Sequence, residues 1–327
     1  MSRSALFERV LSTPVVDLKK LFNISWHGVP DEWRWQVWKY LLRYVPVEKN
    51  RTEKVLEKKR KEYDILLKTI PKDENEETND ETKIRKQIVM DIMRSNITIP
   101  MLFVDKIQNA MKRILFLYAL RHPACGYVQG LNDLVVPLLV VNVEEFSMKI
   151  GEDVMNDLNE SQLQWIEADT YWMFSALLEN IQDHYTSEQS AIYKQLDEMN
   201  VVLERVDAKL ADKLNEENIQ IIQFAFRWFN CFLLREFSFK QGLRLWDTYL
   251  SDEDGNGFKV FHLYVCVAIL KKYSAKLVTL EFADLVQFLQ NLPTNEWTDD
   301  DMNSTLSEAF VLFSQFKDSP SHLSRSK

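Results

Sequence analysis

The scarcity of glycine and proline constrains the fold of this chain more than any other feature of its sequence. Only 7 glycines and 9 prolines occur among 327 residues, too few for the closely spaced turns of a β-sandwich or barrel. Long stretches instead repeat their apolar residues every three to four positions, which is the period of an α-helix. Apolar residues make up 46% of the sequence, enough for a large buried core. These features predict an all-α protein.

The same periodicity locates the helices. One is predicted to begin after Gly28, where Pro30 and two acidic residues fill the first turn. Another begins at Phe103, becomes apolar on every face and ends at His122, because Pro123 disfavours helical geometry in the residue before it. Further helices are predicted near residues 50–69, 160–183, 188–214, 217–235, 239–250, 259–273, 280–291 and 300–315. The acidic stretch at 71–83, "PKDENEETNDETK", is predicted to be a loop inserted within the domain.

Composition excludes several classes of protein. The longest apolar run, residues 134–141, is far shorter than the roughly 20 residues that cross a bilayer, and the first residues lack a signal-peptide core. The three cysteines are scattered and odd in number, which predicts reduced thiols rather than disulfides. The five histidines lack the spacing of a local metal site. We therefore expect a cytoplasmic protein with no transmembrane segment and no metal.

Net charge also limits the partners. A formal charge of −9 argues against nucleic acid as a ligand, because phosphate contacts need a basic surface. Residues 81–125 nevertheless hold eight basic and three acidic residues, a local charge of +5 that leaves −14 for the rest of the chain. This basic island is either a set of solvated helix faces or a docking surface for an anionic partner.

Two short segments carry the candidate chemistry. In "IVMDIMRSNITIP", residues 88–100, Asp91 and Arg94 stand three apart among apolar neighbours. Taken alone, this spacing favours an ion pair between them, although such an arginine can also be presented at a site. In "HPACGYVQGLNDL", residues 122–134, Gly126 and Gly130 flank Gln129. The simplest interpretation of this second segment is a turn between helices.

Together the two segments resemble a known pair of motifs. Ile88-x-x-Asp91-x-x-Arg94, followed by Tyr127-x-Gln129-Gly130, is similar to the two signature motifs of TBC-domain Rab GTPase-activating proteins. The stretches "WHGVPDEWRWQVWKYLL", "EADTYWMFSALLENIQDHY", "FAFRWFNCFLLREF" and "RLWDTYL" resemble further blocks of that family in the same order. The sequences of residues 121–134 and 258–272 are most similar to those of the Golgi-associated branch of the family.

The resemblance implies a TBC domain over residues 20–318, with an N-terminal extension at 1–19 and a tail at 319–327. The fold it implies is a single elongated all-α domain, with two helical lobes. The chain departs from the family at Met93 and Ser95, where proline and threonine are common. Serine keeps the hydroxyl and methionine only relaxes the backbone, so neither change removes a reacting group.

The resemblance also implies an activity. Such a protein accelerates GTP hydrolysis by a Rab-family GTPase in its GTP-bound state and supplies Arg94 and Gln129 in trans. It needs no cofactor of its own, because the GTPase carries GTP and Mg²⁺. Cytoplasmic location, with at most peripheral membrane association at the Golgi, is the expected setting. The residues that would support the two reacting side chains are Asp91, Tyr127, Gly126, Gly130, Ile88 and Ser95.

For this mechanism, Arg94 and Gln129 must meet although a helix of about 20 residues, roughly 30 Å, separates them. The segment "SNITIPML", residues 95–102, contains β-branched residues, and Pro100 holds Ile99 extended. An extended segment of about 26 Å, at 3.3 Å per residue, followed by a helix running back, would return Gln129 to the neighbourhood of Arg94.

Two other functions remain open at this point. Cys125 and His122 form a conceivable nucleophile and base, but thiol hydrolases bring these groups together from distant segments. Alternatively, the chain is a catalytically silent scaffold that binds a Rab or another trafficking partner. The presence of both Arg94 and Gln129 favours the active function over the scaffold.

Overall fold

A computed structural model describes residues 2–71, 77–95, 99–149, 151–186 and 188–317. Within these ranges the chain forms fifteen α-helices and no β-strand, which confirms the all-α prediction. It divides into two compact units, one ending at Glu188 and the other beginning at Gln189.

The first unit contains eight helices: α1 (Arg3–Leu11), α2 (Leu18–Ser25), α3 (Asp31–Leu41), α4 (Lys49–Leu67), α5 (Asn79–Met93), α6 (Asp105–Arg121), α7 (Leu131–Glu144) and α8 (Glu160–Ile181). Helix α7 is its centre. Every residue from 131 to 143 is buried, as expected for a helix that is apolar on all faces. It packs against α3, α5, α6 and α8.

Buried ion pairs join the helices of this unit. Asp169 on α8 accepts hydrogen bonds from Lys39 Nζ at 3.0 Å and from Arg60 at 2.9 and 2.7 Å. Burial would raise the pKa of Asp169, but the charges of Lys39 and Arg60 outweigh that effect and hold it below its usual value. The ionised carboxylate therefore ties α3 and α4 to α8.

The second unit contains seven helices: α9 (Ser190–Val206), α10 (Ala208–Glu216), α11 (Ile222–Asn230), α12 (Phe239–Leu250), α13 (His262–Leu277), α14 (Phe282–Gln290) and α15 (Asp299–Phe316). Its core is aromatic around His262, whose Nδ1 lies 2.8 Å from the Tyr249 hydroxyl and whose ring contacts Phe229 and Phe232 edge-on. All four side chains are buried. This histidine is thus a core residue.

Several predicted helix boundaries are wrong. The single helix predicted at 188–214 is two helices, because Asp207 leaves helical geometry and its side chain caps α10 through the backbone N–H of Leu210 at 3.1 Å. The helix predicted at 217–235 covers only Ile222–Asn230. Residues 79–83 of the predicted acidic loop belong to α5, which begins with a capping box between Thr78 and Glu81. Residues 72–76 of that loop lie outside the described ranges.

Candidate functional site

The two sequence motifs meet in the first unit. Asp91 lies near the end of α5, and Tyr127 lies in the turn between α6 and α7. The Tyr127 hydroxyl donates a hydrogen bond to Asp91 Oδ2 at 3.0 Å, and Asn132 Nδ2 donates to the Asp91 carbonyl oxygen at 3.3 Å. A segment and a turn 36 residues apart are therefore fastened to each other.

The route by which the chain returns is only partly the predicted one. Helix α6 has 17 residues, about 25 Å in length, and packs against α5. Ile99 is extended before Pro100, as predicted, but Pro100–Phe103 forms a turn of 3₁₀ helix instead of continuing the extended segment. Residues 96–98 are outside the described part of the chain. The return of the glycine-flanked turn to the first motif is confirmed by the bond between Tyr127 and Asp91.

The contact between the end of α5 and the turn between α6 and α7, here called the junction, is centred on Asp91. Its side chain is 4% exposed and accepts one hydrogen bond from Gln87 Nε2 at 2.8 Å and another from Tyr127. Burial raises the pKa of the Tyr127 hydroxyl, and the negative charge of Asp91 adds to the effect. The hydroxyl therefore stays protonated and remains a donor. Among the described residues Asp91 forms no ion pair with Arg94, so the ion-pair interpretation is wrong.

Arg94 lies at the surface, in contrast to the buried Asp91. It follows the last turn of α5, where its backbone N–H bonds to the carbonyl oxygens of Met90 and Asp91. Its side chain is exposed, and it makes no hydrogen bond or ion pair with any side chain in the described ranges. Gln129, in the turn that Tyr127 anchors, is also exposed. The two predicted reacting side chains therefore face outward from segments that are fixed by buried neighbours.

A second set of hydrogen bonds closes the junction from the side of α7. The Ser95 hydroxyl donates to Asp133 Oδ1 at 3.1 Å, and Asn132 Nδ2 donates to the same oxygen at 3.0 Å. Asp133 and Asn132 are fully buried. Gln87, Asn132 and Asp133 were not predicted as site residues. Two consecutive polar residues at the start of an otherwise apolar helix were the signal that could have identified the last two.

The two glycines of the turn differ in what they require. Gly126 has φ +60°, and a Cβ added there would meet no atom within 4 Å. Gly130 has φ +106° and ψ −22° and is buried where α7 begins. An L-residue tolerates the first conformation far better than the second. Gly130 therefore fixes the direction in which the chain leaves Gln129, while Gly126 is needed less.

The remaining predicted residue, Ile88, is 1% exposed and belongs to the apolar face of α5. It therefore supports the site by packing. Four residues of the basic island are ion-paired: Lys83 with Asp80, Arg85 with Glu77, Lys106 with Glu160, and Arg113 with Glu167. Those pairings favour charged helix faces over an anion-docking surface for this half of the island.

The rival thiol site lacks the geometry it needs. His122 Nδ1 lies 2.9 Å from the Tyr118 carbonyl oxygen, to which it must donate a proton, and the ring stacks on Tyr118. Cys125 Sγ accepts a hydrogen bond from Gln182 Nε2 at 3.3 Å. Among the described residues, no hydrogen bond joins the His122 ring to the Cys125 thiol. Across the described ranges, no cluster of three or more metal-ligating side chains occurs, and no helix is both long and apolar enough to cross a membrane.

An all-α protein that projects an arginine and a glutamine from one hydrogen-bonded junction has the arrangement expected of the TBC class. Residues 31–278 match the sequence model of the Rab-GTPase-TBC domain, and the chain belongs to that family.

Three members of the family are similar to this chain over almost its whole length. The chain is 41% identical to "GTPase-activating protein gyp1" of Schizosaccharomyces pombe, over 99% of this chain and 63% of that protein. It is 40% identical to "TBC1 domain family member 22B" of Homo sapiens, over 99% of this chain and 64% of that protein. The crystal structure of the Ypt/Rab-GAP domain of Gyp1p superposes with a TM-score of 0.90 at 39% identity, covering 96% of this chain and 98% of that one. The chain thus spans just under two thirds of the length of these curated relatives.

Proposed function

We propose that this chain accelerates GTP hydrolysis by Rab-family GTPases in their GTP-bound state and supplies Arg94 and Gln129 to the reaction. The observation that carries the proposal is the shared junction. Both side chains are exposed, and the segments that hold them are fastened to each other by the hydrogen bond from Tyr127 to Asp91. The gyp1 protein of Schizosaccharomyces pombe is a GTPase-activating protein and the superposed Gyp1p domain is a Ypt/Rab-GAP domain, which supports the same activity.

Arg94 would stabilise the transition state. Transfer of the γ-phosphoryl group to water spreads negative charge over the phosphate oxygens, and a permanently protonated, forked guanidinium can bind two of them. An arginine supplied by a partner protein is worth about 10³ to 10⁵ in rate. Because Arg94 has no ion pair among the described residues, it need not release any of those side chains before it reaches the phosphate.

Gln129 would orient the attacking water. A carboxamide can accept a hydrogen bond from that water and donate another to the phosphate. GTP and Mg²⁺ are carried by the GTPase, so the chemistry of this chain is confined to side chains. Asp91, Tyr127, Ser95 and Gly130 would then act by holding the two segments in register, with Ile88 and Gly126 in lesser supporting roles.

The decisive experiment tests Gln129 against the GTPase's own glutamine. Single-turnover GTP hydrolysis is measured with a Rab that responds to this chain, and with the same Rab carrying leucine in place of its switch glutamine. We expect the chain to accelerate both forms. Gln129→Ala should slow both, whereas Gln287→Ala, which truncates an exposed glutamine on α14, should slow neither.

Two results would contradict the proposal. A leucine-substituted Rab that is wholly unresponsive would return Gln129 to the role of a turn residue. Tight binding of GTP-loaded Rab without any acceleration would favour the scaffold. A peripheral location at the Golgi belongs to the same proposal, and imaging of the tagged full-length protein tests it.

A further inference from the structure

A groove lined by apolar residues together with Ser95, Gln108 and Lys112 lies beside Arg94. It encloses about 280 Å³, and its walls come from three separate segments. Its principal apolar lining residues are Ile92, Met93, Leu102, Phe103, Met111 and Val136. Ile92, Met111 and Val136 are buried and form its floor. None of these apolar residues takes part in the hydrogen-bonded junction described above.

The rim of the groove is unusually open for such large apolar side chains. Met93 is 76% exposed and Phe103 is 62% exposed, although most large apolar residues of this unit are buried. Adjacent exposed apolar side chains over an apolar floor are typical of a surface that a partner covers. Methionine, with its flexible and polarisable side chain, is well suited to adapt to such a partner.

We infer that this groove receives an apolar side chain from the nucleotide-facing surface of the GTPase, and that Met93 and Phe103 help to select which Rab is accelerated. The inference rests on the proposed function. Met93 and Ser95 both line the groove and directly flank Arg94 in sequence. A GTPase whose phosphate reaches Arg94 must therefore lay the surrounding surface over the groove.

The size and polarity of the groove fit that occupant. Its volume lies at the lower end of the roughly 300–1,000 Å³ of sites for small molecules and is large enough for one inserted side chain. Its lining includes one charged residue, Lys112. Nearby Lys106 and Arg113 are each paired with a glutamate. The positive charge that remains beside the groove is that of Lys112 and of Arg94, and the proposed function assigns Arg94 to the phosphate of GTP. The apolar rim formed by Met93 and Phe103 therefore favours a protein partner.

The test separates binding from chemistry. Single-turnover hydrolysis across a panel of Rabs, at increasing concentrations of this chain, gives a half-saturating concentration and a maximal rate for each variant. Met93→Ala and Phe103→Ala should each raise the half-saturating concentration about tenfold, and the factor should differ between Rabs. The maximal rate should be unchanged. Met148→Ala is the matched control, because Met148 is 60% exposed and outside the groove.

The outcomes are distinguishable. Unchanged half-saturating concentrations in both groove variants, or an equal rise in Met148→Ala, would overturn the inference. The inference would also be overturned if the groove variants alone no longer sedimented with phosphatidylcholine–phosphatidylserine vesicles while their kinetics with Rabs were unchanged. If wild-type protein accelerated no Rab, the proposed function would fail. Calorimetric binding of Rabs loaded with a non-hydrolysable GTP analogue would then still test the groove.

Discussion

Replacement of Arg94 by alanine separates a reacting residue from a structural one. The side chain is exposed and has no hydrogen bond or ion pair with the described residues, so its truncation should change the free energy of unfolding by no more than about 0.5 kcal/mol. The loss in stimulated hydrolysis should reach about 10³ to 10⁵, which corresponds to roughly 4 to 7 kcal/mol of activation free energy. Arg94→Lys should also fail, because an ammonium cannot reproduce the fork.

Arg113 provides the matched comparison. Its guanidinium donates two hydrogen bonds to Glu167, at 2.7 and 2.6 Å, and that carboxylate is buried with the Tyr63 hydroxyl as a further donor at 2.8 Å. Arg113→Ala would leave Glu167 short of a counter-charge, at a cost of about 1–3 kcal/mol. Because Arg113 is not at the junction, the maximal rate of stimulation by the folded protein should be retained.

The assay pairs urea unfolding with single-turnover GTP hydrolysis on the same preparations. We expect opposite results from the two variants: Arg94→Ala loses rate and keeps stability, and Arg113→Ala loses stability and keeps rate. If Arg94→Ala instead unfolded at markedly lower urea and the remaining folded fraction stimulated hydrolysis normally, Arg94 would be a structural residue and the proposed mechanism would be wrong.

Two further changes probe how the junction is held. Tyr127→Phe removes one of the two side-chain donors to Asp91 and should lower the free energy of unfolding in urea by about 1.5–3 kcal/mol. The stimulated rate should fall as well, and Tyr127→Trp, which lacks the same hydroxyl, should not recover it. Unchanged stability would refute the anchoring role. Gly130→Ala, at φ +106°, should lower the free energy of unfolding by about 1–3 kcal/mol and slow hydrolysis. Gly126→Ala, at φ +60° in open space, should lower it by only about 1 kcal/mol. Equal effects of the two variants on stability and on rate would contradict the distinction.

Local rules explain what could be predicted at the level of the fold. The helical class follows from apolar periodicity and few turn residues, and the end of α6 at His122 follows from the proline after it. One boundary was missed although a local signal existed. The break between α9 and α10 occurs at Asp207, and aspartate is a preferred N-cap residue, but the helical periodicity on both sides of it favoured a single helix.

For the site, the resemblance to the TBC motifs pointed to the candidate residues but not to the hydrogen bonds between them. Asp91 and Arg94, three apart on a helix, could form an ion pair, and nothing local excludes it. The tertiary structure decides otherwise. It buries Asp91 against Tyr127, a residue 36 positions away, and leaves Arg94 exposed.

Residue order alone establishes that this chain is helical, because that conclusion depends on apolar periodicity within single segments. Arg94 and Gln129 are singled out by the resemblance of two short motifs to those of the TBC family, and their roles are the proposal to be tested. The bond between Asp91 and Tyr127, the greater need for glycine at 130 than at 126, and the groove beside Arg94 are visible only in the folded chain. Each of these depends on segments brought together from distant parts of the chain, because hydrogen bonds, burial and cavities are properties of neighbours in space.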